Sequence, residues 1–415
     1  MAGSQVALAL ANYGVLALAG RALPAAGFAA LSAFYLLVNT VGRGVFAVIE
    51  LELTRSTADA RARAIGEGPA RATAIRHAAV LGGVALAALI VCTPVLQRAL
   101  GGDWFAVALL AVGMGTTAVS YLVRGPLAGA RRYHRYTATF VAEAVVGATI
   151  AVVFVSAGVV DVRAWVAIFA LAPLAALSVF LVPAGTERSE GTPREREDDT
   201  GSASTLGQFA WSATLLFTGQ ALWNLAPVIV AYRLAEDPQL AAGFTAFAIV
   251  LRVPVLLFPA LQAMLLPPIT AMVSRGEHRT MMRLVQRLLA AIAALGACWL
   301  AGSILLAEPL VDLLFAAVGI APSTPVIVLL ALSALIGAAA QVLQIGLVAQ
   351  RRQRIVALGW LAGVLVLVTT AFLPAAPVVS GGASQLAGAA VAATAMSSSL
   401  WHRSQRGTRL AATVD

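Results

Sequence analysis

The sequence predicts an all-α polytopic membrane protein of about twelve transmembrane helices in two six-helix bundles, and three observations carry that prediction. Hydrophobic residues make up 60% of the 415 residues and charged residues only 11%, against roughly 45–50% and 25% in a soluble domain. Apolar stretches long enough to cross a bilayer core, which takes about 20 helical residues, recur twelve times along the chain. One polar stretch, 184–206, divides them six and six.

The first stretch, 3–20, has no basic residue ahead of it and leads directly into 27–49. It reads as part of the protein body, since a cleaved signal would open on a basic region. Stretches 77–96, 104–123, 137–158 and 162–182 complete the first half. Between the halves, Glu187, Glu190, Glu195, Glu197, Asp198 and Asp199 stand among Arg, Ser, Thr and Gly, a composition that cannot bury enough surface to fold. The second half comprises 208–230, 239–266, 284–306, 324–349, 354–374 and 379–401, the last rich in Ala, Ser and Gly. The expected organisation is a six-helix half over 1–183, a flexible cytoplasmic linker over 184–206, a second six-helix half over 207–402 and a cytoplasmic tail over 403–415.

All 28 basic residues are arginine, and the net charge is +9. In a soluble protein that balance would suggest nucleic acid. Here the arginines gather in alternate loops, among them Arg55, Arg61, Arg71 and Arg76, then Arg124, Arg131, Arg132 and Arg135, then Arg275, Arg279, Arg283 and Arg287, then Arg351, Arg352 and Arg354. The opposite side holds only Arg21, Arg98, Arg163 and Arg233. The positive-inside rule accounts for this bias and predicts cytoplasmic termini in a bacterial cytoplasmic membrane, with the lipid bilayer as partner and no nucleic acid. Cys92 and Cys298 lie in apolar runs and read as small packing residues; the four histidines are scattered, so no metal site is expected.

Two arginines, Arg43 and Arg252, fall deep inside apolar stretches. A charge at mid-bilayer costs roughly 2.5–3.5 kcal/mol on insertion scales, so such a residue faces a polar cavity or a partner. The halves resemble each other: Ala-Ala-Gly-Phe at 25–28 recurs at 241–244, and Arg124, Leu127, Gly129, Arg131 and Arg132 are answered by Gln344, Leu347, Ala349, Arg351 and Arg352. In that frame Arg43 and Arg252 stand two turns apart in depth, about 10 Å, on equivalent helices. If both face the gap between the halves they form a cationic ladder suited to a diphosphate, which a guanidinium binds bidentately. Alternatively, each is paired internally to fix packing.

Glu50 follows Arg43 by two turns on the same face, with Glu52 and Arg55 beside it. The cluster reads as a cytoplasmic gate or as an ordinary interfacial group. Glu143 is the one acid well within a span. It is a candidate for ion or proton coupling, or a partner for Arg135 or Arg132. Pro254, Pro259, Pro267 and Pro268 predict a kinked eighth helix, which carries Arg252. On the seventh, Gln220 and Asn224 share a face and are candidate glycan contacts, beside the alternative of interhelical hydrogen bonds.

The first hairpin, Ala-Gly-Arg-Ala-Leu-Pro-Ala-Ala-Gly-Phe at 19–28, resembles the first-loop pattern of the multidrug/oligosaccharidyl-lipid/polysaccharide (MOP) flippase superfamily, in its bacterial polysaccharide-biosynthesis branch. It lacks the glycine usual before the proline and the acid after it. Arg-Gly-Pro-Leu-Ala-Gly-Ala-Arg-Arg-Tyr at 124–133 resembles the loop after the fourth helix, and Arg252-Val-Pro254 with Gln262 and Leu-Leu-Pro-Pro at 265–268 resembles the eighth helix. The resemblance implies a V-shaped pair of bundles moving a polyprenyl-diphosphate-linked oligosaccharide by alternating access, alongside other polysaccharide-assembly membrane proteins. In the related lipid II flippases, arginines on the first, second and eighth helices line the cavity. That implies Arg21, Arg43 and Arg252 here. No cofactor and no catalytic residue are expected, and an ion gradient or the membrane potential would supply the drive. The rivals are a drug or cation antiporter of the same superfamily, which would bury acids where this chain buries bases, and a major-facilitator transporter, whose loop signature is missing at 55–63. A membrane glycosyltransferase would need larger acidic outer loops.

Overall fold

The computed structural model describes residues 2–62, 68–181, 206–256, 258–316 and 319–411. Among these, helix is the only regular structure. The first half comprises α1 (Ala2–Ala22), α2 (25–62), α3 (Gly68–Ala99), α4 (Trp104–Gly129), α5 (Tyr133–Ser156) and α6 (162–180, whose second part, Ala172–Phe180, is 3-10). The second comprises α7 (Leu206–Arg233), α8 (238–274, in three pieces), α9 (His278–Phe315), α10 (Thr324–Ala349), α11 (Gln353–Ala371) and α12 (Pro377–Ala411). The expected linker falls almost wholly outside the described residues.

Eleven of these helices are long and apolar enough to cross a membrane. The expected twelfth is α8, which is divided into Pro238–Leu251, Val253–Leu256 and Phe258–Ser274. The break falls at Arg252, two residues before Pro254. Pro254 has no amide hydrogen to give the Val250 carbonyl, and its ring crowds that carbonyl, which favours an interruption here. On the equivalent helix of the first half, α2, residues Asn39–Arg43 form a π turn. Both members of this pair therefore depart from α geometry at their middles, and each departure carries one of the two arginines.

Several helices overrun the sequence expectation. α3, expected at 77–96, starts at Gly68, and α9, expected at 284–306, runs from His278 to Phe315. Hydropathy finds the stretch that crosses hydrocarbon, but a helix continues into water until something stops it. α12 likewise extends to Ala411, through most of the expected tail. Cys92 and Cys298 are exposed on the outer faces of α3 and α9, so neither is the packing residue the sequence suggested.

The internal repeat extends to the backbone. Arg131 and Arg351 both adopt left-handed φ, 55° and 58°. In each turn the next residue closes back on the preceding helix, Arg132 N–H to Leu127 O and Arg352 N–H to Leu347 O, both 2.9 Å. This is the Schellman-type ending that satisfies a helix's last carbonyls.

The four arginines of the sparse loop set are all engaged. Arg163 Nε donates to Asp103 Oδ2 at 2.8 Å, and Arg233 donates to the carbonyls of Ala371 and Ala375 and to Ser380. Arg21 donates to the Leu313 carbonyl, and Arg98 pairs with Glu236 at 3.7 Å while lying over the Tyr232 ring. The last two cross from one half to the other.

Asp103 also caps α4, accepting from the Phe105 N–H at 3.0 Å. Burial pushes its carboxyl upward, but the bonds from Arg163 and Phe105 outweigh this and hold it below the usual carboxylate range. A depressed folded value means stability that is present above the unfolded value and lost as pH falls through the folded one. Asp103→Asn should keep the cap and flatten this part of the acid sensitivity, and Asp103→Ala should cost about 1 kcal/mol at neutral pH. Thermal unfolding from pH 7 to 3 reads both.

Candidate functional site

Near the seam between the halves, the sequence places few polar groups, and Arg252 is the one tied to both halves. Arg252, at the break in α8, is 7% exposed. Its Nε donates to the Tyr13 hydroxyl of α1 at 2.8 Å, and Nη1 donates to Asn224 Oδ1 of α7 at 2.8 Å. Its guanidinium also lies 5.6 Å from the Tyr13 ring centroid. Both hydrogen-bond partners are neutral, and no carboxylate meets Arg252 among the described residues.

Asn224 is 2% exposed, and its orientation is fixed by chemistry. Arginine has donors only, so the amide must present its oxygen. That leaves the Asn224 amide nitrogen buried with no acceptor, and the indole N–H of the adjacent Trp223 is in the same condition. A buried polar group left unsatisfied costs about 1–3 kcal/mol. Beside Arg252, the Asn224 amide therefore offers a donor that no acceptor takes.

Arg43 stands elsewhere. It lines a small polar pocket enclosed by helices of the first half, with Asn12, Tyr35, Asn39, Ser120, Tyr121 and Glu143. No hydrogen bond or ion pair holds its guanidinium among the described residues. The titratable groups whose fields reach it are Tyr121, Tyr35, Glu143 and Tyr13. The pocket that Arg43 lines does not include Arg252. Tyr13 and Tyr35, in edge contact at 6.5 Å, stand between the two arginines, and Tyr13 is within electrostatic reach of both.

A second buried arginine is one that the sequence does not reveal. Arg124, taken as a loop residue, lies inside α4 and is 3% exposed. Its Nη2 meets Glu143 Oε2 at 2.6 Å, Nε donates to Thr139 at 3.0 Å, and the guanidinium packs 3.9 Å from the Phe140 ring centroid. Glu143 therefore pairs with Arg124, and not with Arg132 or Arg135. α5 begins at Tyr133, which sets Glu143 about 15 Å along the helix, too deep for the loop arginines. At the matching place in the second half, Gln344 accepts from the Trp360 indole at 2.7 Å. One half carries a buried ion pair where the other carries a neutral bond.

Glu50 turns toward α5, accepting from the Tyr136 hydroxyl at 2.7 Å, while Gln5 of α1 donates to that hydroxyl at 3.3 Å. Glu52 is half-buried on the opposite face and Arg55 is exposed, so the expected three-residue cluster is split around the helix. Arg21 is an exposed residue at the C-terminal end of α1, bonded to the Leu313 carbonyl. Gln220 is accessible and lies beside Gly44, one residue past Arg43, where α2 and α7 nearly touch.

At the end of the seam that carries Arg21 and Arg98, a pocket of about 490 Å³ lies between the halves, lined by Gln97, Arg98, Leu234 and Pro238 among others, and an aromatic contact crosses beside Arg21. Phe315, at the end of α9, is 1% exposed and fits against Gly20 of α1 and Phe28 of α2, with 5.4 Å between the two ring centroids. At the opposite end His77 of α3 stacks on Phe209 of α7 at 4.5 Å.

No family profile and no curated protein matches the sequence. Solved structures do. The inward-facing conformation of a multidrug resistance MATE family transporter of the MOP superfamily aligns at TM-score 0.67 and 13% identity, over 93% of this chain and 92% of that one. An outward-facing conformation of such a transporter aligns less closely, at 0.54 and 14%, over 98% and 96%. The lipid II flippase MurJ in an inward closed conformation aligns at 0.57 and 9%, over 94% and 86%. The chain thus shares, along nearly its whole length, the all-helical fold of these solved membrane transporters.

Proposed function

We propose that this chain is a flippase that moves a polyprenyl-diphosphate-linked oligosaccharide, or a similar glycolipid, from the inner to the outer leaflet of a bacterial cytoplasmic membrane for cell-surface polysaccharide assembly. The observation that carries the reading is Arg252: a buried guanidinium with only neutral partners, next to an Asn224 amide nitrogen without an acceptor. An anion with several acceptor oxygens satisfies both at once, and a charged acceptor makes a bond roughly twice as strong as a neutral one. Arg43, a half-buried cation without an ion-pair partner among the described residues, is the further attraction for a doubly charged headgroup.

In this reading the diphosphate engages Arg252 and Asn224, the accessible Gln220 meets the glycan, and the prenyl chain stays in lipid. Arg21 joins in only as an outer-surface contact between the halves. Glu50, Glu52 and Arg55 lie on the segment that would move at the cytoplasmic end. With both termini cytoplasmic, outward movement of an anion follows the inside-negative potential, worth about 2.3 kcal/mol per charge per 100 mV if it crosses the whole field. A cation antiporter of the same fold would use a carboxylate that is free to bind. Glu143, the deepest acid, is already held by Arg124 at 2.6 Å, which favours the anionic cargo.

The test is Arg252→Ala, Arg43→Ala and the matching Lys substitutions, with lipid-linked glycan exposed at the outer leaflet as the readout and protein level as the control. Each Ala variant should lose at least tenfold in transport, and Lys should restore only part, because an ammonium lacks the planar fork. Full transport by the double Ala variant would overturn the reading.

A further inference from the structure

The bond between Arg252 and Tyr13 joins the halves, and its chemistry makes it replaceable. Tyr13 belongs to α1 and Arg252 to α8, while the other partner, Asn224, belongs to the same half as Arg252. Of the two acceptors, only the tyrosine hydroxyl comes from across the seam. It is a weak occupant of a guanidinium site: a neutral phenol, itself a donor, giving the cation an oxygen without a charge.

We propose that Tyr13 is a stand-in ligand for Arg252, a latch that an arriving diphosphate displaces. The proposal rests on the diphosphate reading above. With no anion bound, the hydroxyl fills the Nε position and ties α1 to the break in α8. A phosphate oxygen takes the same N–H with a charge-assisted bond, Asn224 contributes its spare N–H, and the tie between the halves is lost. Binding then weakens a contact that holds one conformation, so the ligand shifts the equilibrium through its differential affinity for the two arrangements. The break at Arg252 matters here, because a residue at a helix interruption can re-aim without unwinding a turn.

The edge contact of Tyr13 with Tyr35, a residue of the Arg43 pocket, extends the consequence. Release of Tyr13 alters the wall between the two arginines, and access from one to the other then follows capture of the headgroup.

The experiment uses the full chain in lipid nanodiscs, with inorganic pyrophosphate as the probe. Binding is measured by calorimetry for the native protein, Tyr13→Phe, Asn224→Asp and Arg252→Ala. The α1–α8 separation is measured by spin labels at Leu10→Cys and Met264→Cys, both exposed, with Cys92 and Cys298 changed to Ser. Tyr13→Phe keeps the ring and removes the competitor, so it should bind pyrophosphate several-fold to about tenfold more tightly, and without ligand it should show the broadened distances that pyrophosphate produces in the native protein. Asn224→Asp supplies an internal anion and should abolish binding. Arg252-dependent binding with Tyr13→Phe unchanged in both affinity and distance overturns the latch alone. If the native protein shows no Arg252-dependent binding, the diphosphate reading and the latch fall together.

Discussion

Replacing either Arg124 or Glu143 by Ala should be among the most damaging single changes in the molecule, at about 3–5 kcal/mol. Each is almost fully buried, and among the described residues each is the other's only direct ion-pair partner, at 2.6 Å. Removing one strands the other as a bare ion in a low-dielectric interior. The penalty belongs to the remaining charge, so the double variant Arg124→Gln with Glu143→Gln should recover a large part of what either single loses. The second half already demonstrates a neutral solution, since Gln344 and Trp360 hold the matching position without any charge. Thermal unfolding of purified protein in detergent gives the three values. Singles that melt with the native protein, or a double worse than both, would show that the pair is not closed off from water as described.

The second large effect is expected at Gly363 and Gly388, where α11 crosses α12. A methyl group built on either would lie 2.6 Å from the other residue's carbonyl oxygen. Backbone cannot rotate aside as a side chain can, so Gly363→Ala or Gly388→Ala must push the helices apart. Overpacking costs about 1–3 kcal/mol where neighbours can adjust, and here the upper end is expected, because close approach of small residues is what holds helices together in lipid. Gly83 in α3 is the control, with nothing within 4 Å of its added methyl. There the substitution should stabilise slightly, since glycine in a helix interior is roughly 0.5–1 kcal/mol worse than alanine.

The transmembrane segments were legible because hydropathy and arginine spacing act over the whole chain, and a few misplaced residues at each end do not change the count. Arg124 was hidden by its own context. Arg-Gly-Pro reads as a loop, yet the helix continues through Gly125 and Pro126 to Gly129. Gly125 and Gly129 are there for close approach: added methyls would strike Leu53 and the Thr54 carbonyl at 2.5 Å. Glycine therefore marked helix contact and not a turn. The one usable signal was Glu143, since an acid deep in α5 requires a base on an adjacent helix. Tyr13 gave no signal, because a single tyrosine in an apolar stretch reads as an interfacial aromatic, and its role depends on a residue in the other half. The direction in which Arg43 and Arg252 face was equally out of reach, because the repeat fixes their depth and leaves their rotation about the helix to the π turn and the break.

The two left-handed arginines, Arg131 and Arg351, bear on how the chain enters a membrane. An L-residue with a side chain pays about 1–2 kcal/mol for that conformation, and glycine is the usual occupant. On the positive-inside reading, arginine at both equivalent turns would trade folded stability for a topogenic charge as each helical hairpin is inserted. Arg131→Gly with Arg351→Gly should therefore give a finished protein that is harder to melt and a nascent chain that is oriented less faithfully.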